Sequence, residues 1–570
     1  MWKQIAQEAQ ALRDETLAKV GVTIEIPAQL SRNVTDIPDR VLSASSARIT
    51  SLAPQEIITL ASERKISAQQ IVQAFLERAI AAQNLTNCLT EILPERAISQ
   101  AIELDARLLG NSAPLGPLHG LPVSIKSHIG IANRPLSSGY CAPFHSRQRP
   151  DTDALVVQIL TRAGAIVHAR TTEPQSMMQL ECTSNLYGVT TNPYSNILMS
   201  SGGSSGGEAA LIALRGSVLG VGSDVGGSIR VPAAACGIYG LKPTAFRVPT
   251  TGWSSTPPGA DPIVTVLGPM SVSLEGLEMF MRVVAAAEPW RIEPALIPLP
   301  WRAVDIVLSR EKPLRLGIIW HDEVVKPHPP IMRALKEFVN KVSNVPHVEV
   351  VDFPPYKHDE AWAIASSLYF TDGGEANLAV MAESGEPLLP LTEWIIKDNP
   401  GVKLLDRGEL EYWLEEREEF RMEYSQHWNE TGVFNRASGN WEGTVDAIIC
   451  PVAPGVATQH NTAKYWTYTA VWNLLDYPAL AFPVGKVDKA VDVKENRKRF
   501  MSDLDKENWK LCECDPDTPY LLELPSVGRK LIDADRPDLF HDMPVGLQMV
   551  GRRFDDERII AIARFLEKHI

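Results

Sequence analysis

Two short stretches rich in glycine and serine contain residue types that could do chemistry. The first reads SSGGSSGG at 200–207, and the second reads GSDVGGS at 222–228. Glycine-rich turns let backbone N–H groups approach a bound anion, because glycine lacks a Cβ and tolerates positive φ. Such turns bind either a phosphate or the oxyanion that forms during acyl transfer. The two stretches therefore predict one of these two chemistries.

A phosphate site is the weaker interpretation. A P-loop ends in Gly-Lys-Ser/Thr, whereas Glu208 follows the glycines here. A carboxylate at that position would repel a phosphate. The run GGS at 202–204 also lacks the preceding strand of a dinucleotide-binding fingerprint. We therefore expect no nucleotide at this site.

Acyl transfer to a serine could use the first stretch as a nucleophile elbow. The segment GGSSG at 202–206 fits the G-x-S-x-G pattern with Ser204 at its centre. That elbow needs a strand directly before it, but residues 192–196 read NPYSN, which is typical of a turn. The later histidines His460 and His541 would complete a triad only by chance placement.

A lysine could instead act as the base. Lys126 ends the apolar run GLPVSIK at 120–126, where a covered strand would hold its side chain away from water. Burial lowers the pKa of a lysine because it disfavours the charged ammonium. A neutral amine can then accept a proton from a serine near pH 7. Spacing alone leaves open that Lys126 points to solvent at the strand end.

The stretch from 202 to 244 resembles the defining segment of the amidase signature family. It reads GGSSGGEAALIALRGSVLGVGSDVGGSIRVPAAACGIYGLKPT, which is too long for a chance match. Nearly the whole chain shares the resemblance, and within the family it resembles fungal acetamidases and general amidases. The other matching segments follow in the family's order: GPLHGLPVSIK (116–126), TTEPQSMMQLE (171–181), DAIICPVAP (446–454), NLLDYPALAFPV (473–484) and PVGLQMVGRR (544–553).

The resemblance implies a Ser-cisSer-Lys triad. Ser228 matches the nucleophile, Ser204 the cis serine that relays the proton, and Lys126 the ultimate base. It further implies a cis peptide between Gly203 and Ser204. The backbone expected to form the oxyanion hole is that of Val225, Gly226, Gly227 and Ser228. The expected chemistry is amide hydrolysis through an acyl-serine, with no metal and no cofactor.

Five further positions near the triad have expected supporting roles. Ser205 is expected to hold the relay by hydrogen bonds, and Gly203 fits a crowded turn. Asp224 and Arg230 flank the nucleophile and are expected to pair, either to brace the loop or as an ordinary structural ion pair. Met177 has two expected roles: it either lines the acyl pocket or packs as an ordinary core residue.

One position next to the base departs from the family's pattern. Ser127 follows Lys126 where an acidic residue is common in the family. The departure changes the polarity beside the expected relay, although no triad position is substituted.

Helices alternate with short apolar strands along the chain, which favours an α/β fold with a covered sheet. The resemblance implies the amidase signature fold, with a central mixed β-sheet covered on both faces by α-helices. The periodicity predicts a helix from Ser67, a helix-then-strand unit over 151–170 with Asp151 or Thr152 as N-cap, a second such unit over 207–222, and strands at 314–320, 348–353 and 446–450.

The chain is expected to divide into two parts, and the larger part contains one segment that departs from the alternation of helices and strands. Residues 1–66 are expected to form an N-terminal helical arm, and residues 67–570 a single-core amidase signature domain. Within that domain, residues 485–540 are strongly charged and broken by four prolines. We interpret them as a surface excursion that returns to the core near Pro544.

The composition and net charge of the chain limit the kinds of partner that it is expected to bind. The chain has 570 residues and a net charge of −14, which disfavours binding to a nucleic acid backbone. Its start lacks the apolar region of a signal peptide, and no stretch is long and apolar enough to span a bilayer. We therefore expect a cytoplasmic enzyme with a small-molecule amide substrate and no membrane partner, and the sequence allows a homodimer.

Three activities share this expected site. The first is hydrolysis of a carboxylic amide to a carboxylate plus ammonia or an amine. The second is a glutaminase-type subunit that feeds ammonia to an amidotransferase. The third is an esterase or acyl-transferase, because an acyl-serine can be resolved by several nucleophiles. The acidic balance and the acetamidase-like N-terminus favour the first.

Overall fold

A mixed sheet of 11 strands forms the centre of the molecule. The computed structural model describes residues 1–110, 113–146, 149–196, 199–254, 262–493, 495–512 and 540–569. The strands are β1 (Leu89–Ile92), β2 (Pro122–Lys126), β3 (Ile166–Thr171), β4 (Thr183–Ser184), β5 (Gly188–Val189), β6 (Leu219–Asp224), β7 (Tyr239–Lys242), β8 (Val266–Ser271), β9 (Leu314–Ile318), β10 (Val348–Asp352), β11 (Val433–Asn435), β12 (Asn440–Glu442), β13 (Ala447–Pro451), β14 (Ala479–Lys486) and β15 (Pro544–Val550).

The large sheet has the order β1-β3-β2-β6-β8-β7-β14-β15-β13-β9-β10, and the pairs β4-β5 and β11-β12 form two small sheets. Strands β3, β2 and β6 are parallel neighbours, as are β13, β9 and β10. The strands between these groups pair antiparallel. All residues of β2, β3, β6, β8, β13 and β15 are buried. Because alternate residues point to opposite faces, both faces are covered, and the predicted fold class is confirmed.

Helices of varied length surround this sheet. They are α1 (Trp2–Ala18), α2 (Ile37–Val41), α3 (Ala44–Thr50), α4 (Pro54–Ser62), α5 (Ala68–Thr86), α6 (Pro94–Leu109), α7 (Cys141–His145), α8 (Leu155–Arg162), α9 (Gly206–Ala213), α10 (Arg230–Ala235), α11 (Leu274–Ala286), α12 (Pro329–Val342), α13 (His358–Tyr369), α14 (Glu375–Ser384), α15 (Pro390–Glu393), α16 (Arg407–Asn429), α17 (Thr467–Leu474), α18 (Asp503–Trp509) and α19 (Asp556–Glu567).

Local capping explains where some of these helices begin. Ser67 Oγ accepts a hydrogen bond from the Gln70 N–H at 3.1 Å, and Gln70 Oε1 accepts from the Ser67 N–H at 3.0 Å. This reciprocal capping box starts α5 at the predicted residue. The N-cap predicted for the helix at 151–170 is wrong, because the cap is Ala154. The Asp153 carboxylate next to it instead accepts from the Ala132 N–H at 2.8 Å.

The N-terminal segment packs against the body of the molecule. Ile24, Val34 and Ile37 share one apolar cluster with Val72 and Leu76 of α5. The boundary predicted at residues 66 and 67 stays a prediction. About half of the predicted charged excursion, including residues 513–539, lies outside the described residues, and β15 begins at Pro544 as expected. In the described part of the chain, no helix combines the length and apolar character of a membrane span.

Substituting Leu547→Ala should lower the free energy of unfolding by about 2–5 kcal/mol, because it leaves a cavity in the core. Leu547 is fully buried on β15 and pairs with Phe482 and Pro451. The control is Leu109→Ala, since Leu109 is 76% exposed and its substitution should change the value by less than about 0.5 kcal/mol. Urea denaturation measures both, and equal effects would contradict a core at β15.

Candidate active site

Lys126 lies at the carboxyl end of β2, inside the molecule. Its side chain is fully buried, and its Nζ lies 2.5 Å from Ser204 Oγ and 2.9 Å from Ser223 Oγ. Strands β2 and β6 are parallel neighbours, so their carboxyl ends meet at one edge of the sheet. This brings Lys126 beside Ser223. The alternative that Lys126 points to solvent is wrong.

The surroundings of Lys126 favour its neutral form. Burial lowers the pKa of its ammonium to about 8, because desolvation disfavours the charged state. Four nearby acidic groups oppose this effect and raise the pKa: Glu173, Cys182, Asp224 and Glu208. An appreciable fraction of neutral amine is therefore present close to neutral pH, which is what a base needs.

Ser204 follows a cis peptide bond from Gly203. A Cβ on Gly203 would lie 2.0 Å from the carbonyl oxygen of Glu181, so the turn has no room for another residue type. The cis peptide implied by the resemblance and the crowded turn expected at Gly203 are both confirmed. Residue Ser200 forms only an isolated bridge with Thr191, so the segment before Ser204 differs from the strand of a nucleophile elbow.

Ser205 connects the two glycine-rich stretches. Its backbone N–H donates to the carbonyl oxygen of Ser228 at 3.0 Å. Its hydroxyl accepts from the Ser223 N–H at 3.2 Å and donates to the Ser223 carbonyl oxygen at 3.3 Å. The structure thus brings Lys126 and Ser204 into direct contact, while Ser228 joins the cluster through its backbone bond to Ser205.

A buried ion pair between Asp224 and Arg230 holds the turn that contains Ser228. Arg230 Nε and Nη2 donate to the two Asp224 carboxylate oxygens at 3.0 and 2.9 Å. The same oxygens accept from the backbone N–H groups of Gly227 and Ile229 at 2.8 and 3.1 Å. Burial opposes ionisation of Asp224, but the Arg230 charge holds the pKa of this carboxyl well below its usual value. The predicted pairing is confirmed.

Side chains fix the carbonyl groups of the loop expected to form the oxyanion hole. The Val225 oxygen accepts from the Tyr369 hydroxyl at 2.9 Å, and the Gly226 oxygen from Thr469 Oγ1 at 2.6 Å. Because the C=O and N–H of one planar peptide point in opposite directions, the Gly226 N–H faces away from Tyr369. The Gly227 N–H, by contrast, is bonded to Asp224. The four backbone amides expected to form the oxyanion hole are therefore not equivalent, because the Gly227 N–H already donates to a carboxylate.

Several of these residues were missed by sequence reasoning. Ser223, Thr469 and Tyr369 received no role, although Ser223 directly precedes Asp224 at the end of an apolar run. From the sequence, Glu208 argues only against a bound phosphate. Its carboxyl accepts from Ser124 Oγ at 2.5 Å and from Thr171 Oγ1 at 2.9 Å, and burial raises its pKa to about 8. A carboxyl group in an otherwise apolar helix was the available signal.

Met177 lies at the end of a 3-10 turn, Gln175–Met177, with a positive φ of 58°. Its side chain is half-buried, and the choice between acyl pocket and core stays a prediction.

Several known amidases and amide hydrolases are similar to this chain. The sequence model of the family described as Amidase matches residues 70–560. The acetamidase of Emericella nidulans is 33% identical over 573 residues, covering 100% of this chain and 98% of the relative. The acetamidase of Aspergillus oryzae is 33% identical over 575 residues with the same coverage of 100% and 98%. A solved structure of fatty acid amide hydrolase superposes with a TM-score of 0.87 at 28% identity, covering 100% of this chain and 95% of that one.

Substituting Arg230→Met should lower the free energy of unfolding by about 3–5 kcal/mol, because it leaves Asp224 buried without its counter-charge. The matched control is Arg407→Met, since the Arg407–Glu411 pair is exposed and should contribute less than about 1 kcal/mol. Urea denaturation of both variants measures the difference. Similar small effects at both positions would show that the Asp224 turn does not depend on the ion pair.

Proposed function

Since the chain belongs to the amidase signature family and is an amidase, we propose that it cleaves its amide substrate through an acyl-enzyme on Ser228. In this proposal Ser228 is the nucleophile, Ser204 relays the proton and Lys126 is the base. The products are a carboxylate and ammonia or an amine. The observation that carries the proposal is the 2.5 Å contact between a fully buried lysine amine and the hydroxyl of Ser204.

Acylation begins when the Ser228 oxygen attacks the amide carbonyl carbon. The Ser228 proton passes to the Ser204 oxygen as the Ser204 proton passes to the neutral amine of Lys126. A new C–O bond forms, and the carbonyl oxygen becomes an oxyanion. The relay then runs in reverse: a proton returns through Ser204 to the leaving nitrogen, and the C–N bond breaks.

Deacylation uses the same relay with water. A water molecule attacks the acyl carbon while its proton passes through Ser204 to Lys126. The proton then returns to the Ser228 oxygen as the C–O bond of the acyl-enzyme breaks. The carboxylic acid leaves and ionises in water, so the relay ends in its starting protonation state.

The Gly226 N–H supports stabilisation of the oxyanion, because its peptide is held by the Tyr369 hydroxyl on the opposite side. A fixed donor needs no reorientation during the reaction. The Asp224–Arg230 pair supports the position of the Gly226 peptide, because Asp224 also accepts a hydrogen bond from the adjacent Gly227 N–H. These two residues position the loop and do not contact the reacting atoms.

The similarity to acetamidases and to fatty acid amide hydrolase supports a small-molecule amide as substrate. A turnover panel of acetamide, benzamide, a long-chain amide and indoleacetamide, with glutamine as the comparison, distinguishes the acyl groups. We expect turnover of simple amides by the chain alone. Release of ammonia from glutamine only when partner subunits are added would instead favour an amidotransferase subunit.

Substituting Ser228→Ala should lower kcat by about 10⁴-fold or more, because no acyl-enzyme can form. Labelling by a fluorophosphonate, followed by mass spectrometry, should occur at Ser228 in the unchanged enzyme and be lost in this variant. The control Ser146→Ala changes an exposed serine and should keep both properties. Wild-type turnover by Ser228→Ala, with loss in Ser204→Ala, would favour the nucleophile elbow instead.

The pH profile of kcat/KM should rise with a midpoint near pH 8, because only the neutral form of Lys126 accepts a proton and burial lowers its pKa to about 8. Substituting Lys126→Ala should abolish most activity and remove this limb. The control is Lys242→Met: Lys242 is also buried, and burial lowers its pKa to about 8, but it donates to the Pro243 carbonyl. If Lys242→Met shifts the midpoint and Lys126→Ala does not, Lys126 is not the base.

A further inference from the structure

The turn directly after Lys126 is bonded to the carboxylate of Glu173. Glu173 is 2% exposed and follows the end of β3, the strand next to β2. Its Oε1 accepts from Ser127 Oγ at 2.7 Å, and its Oε2 accepts from the His128 N–H at 3.1 Å. Both carboxylate oxygens are therefore used by the two residues that follow Lys126.

Arg170 contacts the same turn from within β3. Its Nη2 donates to the Ser127 carbonyl oxygen, and its Nη1 forms a buried ion pair with Glu91 at 2.7 Å. The hydroxyl and the carbonyl of Ser127 are thus held by two residues of the neighbouring segment, Glu173 just after β3 and Arg170 within it. These bonds restrict the backbone from which the Lys126 side chain extends.

We propose that Glu173 is a positioning residue for Lys126. Glu173 fixes the turn that follows Lys126, and it supplies the negative charge that the adjacent residue Ser127 does not carry. The proposal rests on the proposed role of Lys126 as base. Glu173 acts through Lys126 and does not contact the reacting atoms.

Of the four acidic groups that raise the pKa of Lys126, Glu173 has the largest effect. The Asp224 charge is compensated by its direct ion pair with Arg230. Glu208 and Cys182 are buried, and burial raises the pKa of Glu208 to about 8 and raises that of the Cys182 thiol, so both favour their neutral forms at pH 7.

The two basic groups near Lys126, His128 and Arg170, do not change the electrostatic role assigned to Glu173. Burial lowers the pKa of the His128 imidazole well below its usual value, so this ring is neutral. Arg170 has its own buried partner in Glu91. Burial raises the pKa of Glu173, but the charges of Lys126 and Arg170 and the bonds from Ser127 and His128 oppose this effect.

The test is Glu173→Gln, which keeps the side-chain shape and removes the charge. A nearby carboxylate stabilises the ammonium form of Lys126, so its loss should lower the lysine pKa. The midpoint of the kcat/KM profile should therefore move to lower pH by about one unit. The same midpoint is read independently of turnover from the ¹³Cε resonance of Lys126 in lysine-labelled protein, assigned by its absence in Lys126→Ala.

Three further variants separate charge from hydrogen bonding and from folding. Glu173→Asp keeps the charge and should keep the midpoint near its original value. Ser127→Ala removes one hydrogen bond to Glu173 without removing charge and should leave the midpoint within about 0.3 units. The double variant Ser127→Asp with Glu173→Gln moves the carboxylate to the position next to the base and should restore the midpoint, even where Glu173→Gln is less stable.

The two readouts distinguish this inference from the proposed function. A shift of the Lys126 resonance midpoint in Glu173→Gln, restored in the double variant, supports the inference whether or not amides are turned over. An unchanged midpoint in an active, folded Glu173→Gln enzyme overturns it and leaves the proposed function standing. A shifted midpoint in both Glu173→Gln and Ser127→Ala also overturns it, because hydrogen bonding and not charge would then be responsible.

Discussion

The contact between the buried amine of Lys126 and the hydroxyl of Ser204 is the constraint on which the rest of the site depends. A lysine is rarely buried without a direct carboxylate partner, because removing an ammonium from water is costly. Here the cost is limited by two hydroxyl oxygens, those of Ser204 and Ser223, and by titration of the amine itself. The sheet imposes this arrangement, since β2 ends between its parallel neighbours β3 and β6.

The same sheet edge also explains how the turn after β6 is held in place. Ser223 and Asp224 are adjacent at the end of β6, so this strand end contacts Lys126 and leads directly into the turn that carries Ser228, the proposed nucleophile. Asp224 uses its carboxylate on Arg230 and on backbone N–H groups of the turn, which ties that turn to the first residue of α10. Tyr369 and Thr469 then hold the loop carbonyls from α13 and α17. Helices α10, α13 and α17, which are distant from one another in the chain, therefore converge on the turn that follows β6.

Sequence reasoning could predict much of this, and its failures have physical causes. Apolar runs between turn residues predicted strands at 314–320, 348–353 and 446–450, and the structure places strands at Leu314–Ile318, Val348–Asp352 and Ala447–Pro451. The glycine-serine stretches indicated a site for a phosphate or an oxyanion, and Glu208 after the first stretch argued against the phosphate. The direction of Lys126 was not predictable from spacing, since a strand end suits a solvent-facing lysine equally well. The N-cap of α8 was predicted at Asp151 or Thr152, but the helix begins later, with Ala154 as its cap. The carboxylate next to this cap, that of Asp153, bonds to Ala132, 21 positions away, and such tertiary partners leave no local signal.

Glu173 illustrates the same limit in the most consequential way. Along the chain it lies 47 positions from Lys126 within TTEPQS, and its neighbour Pro174 makes that segment look like an ordinary turn. Only the parallel pairing of β2 with β3 brings the two strand ends together. An electrostatic requirement of a base can thus be met from a neighbouring strand as well as from the next residue in the chain. The role of Ser127 beside Lys126 is therefore understood only together with the Glu173 carboxylate to which its hydroxyl donates.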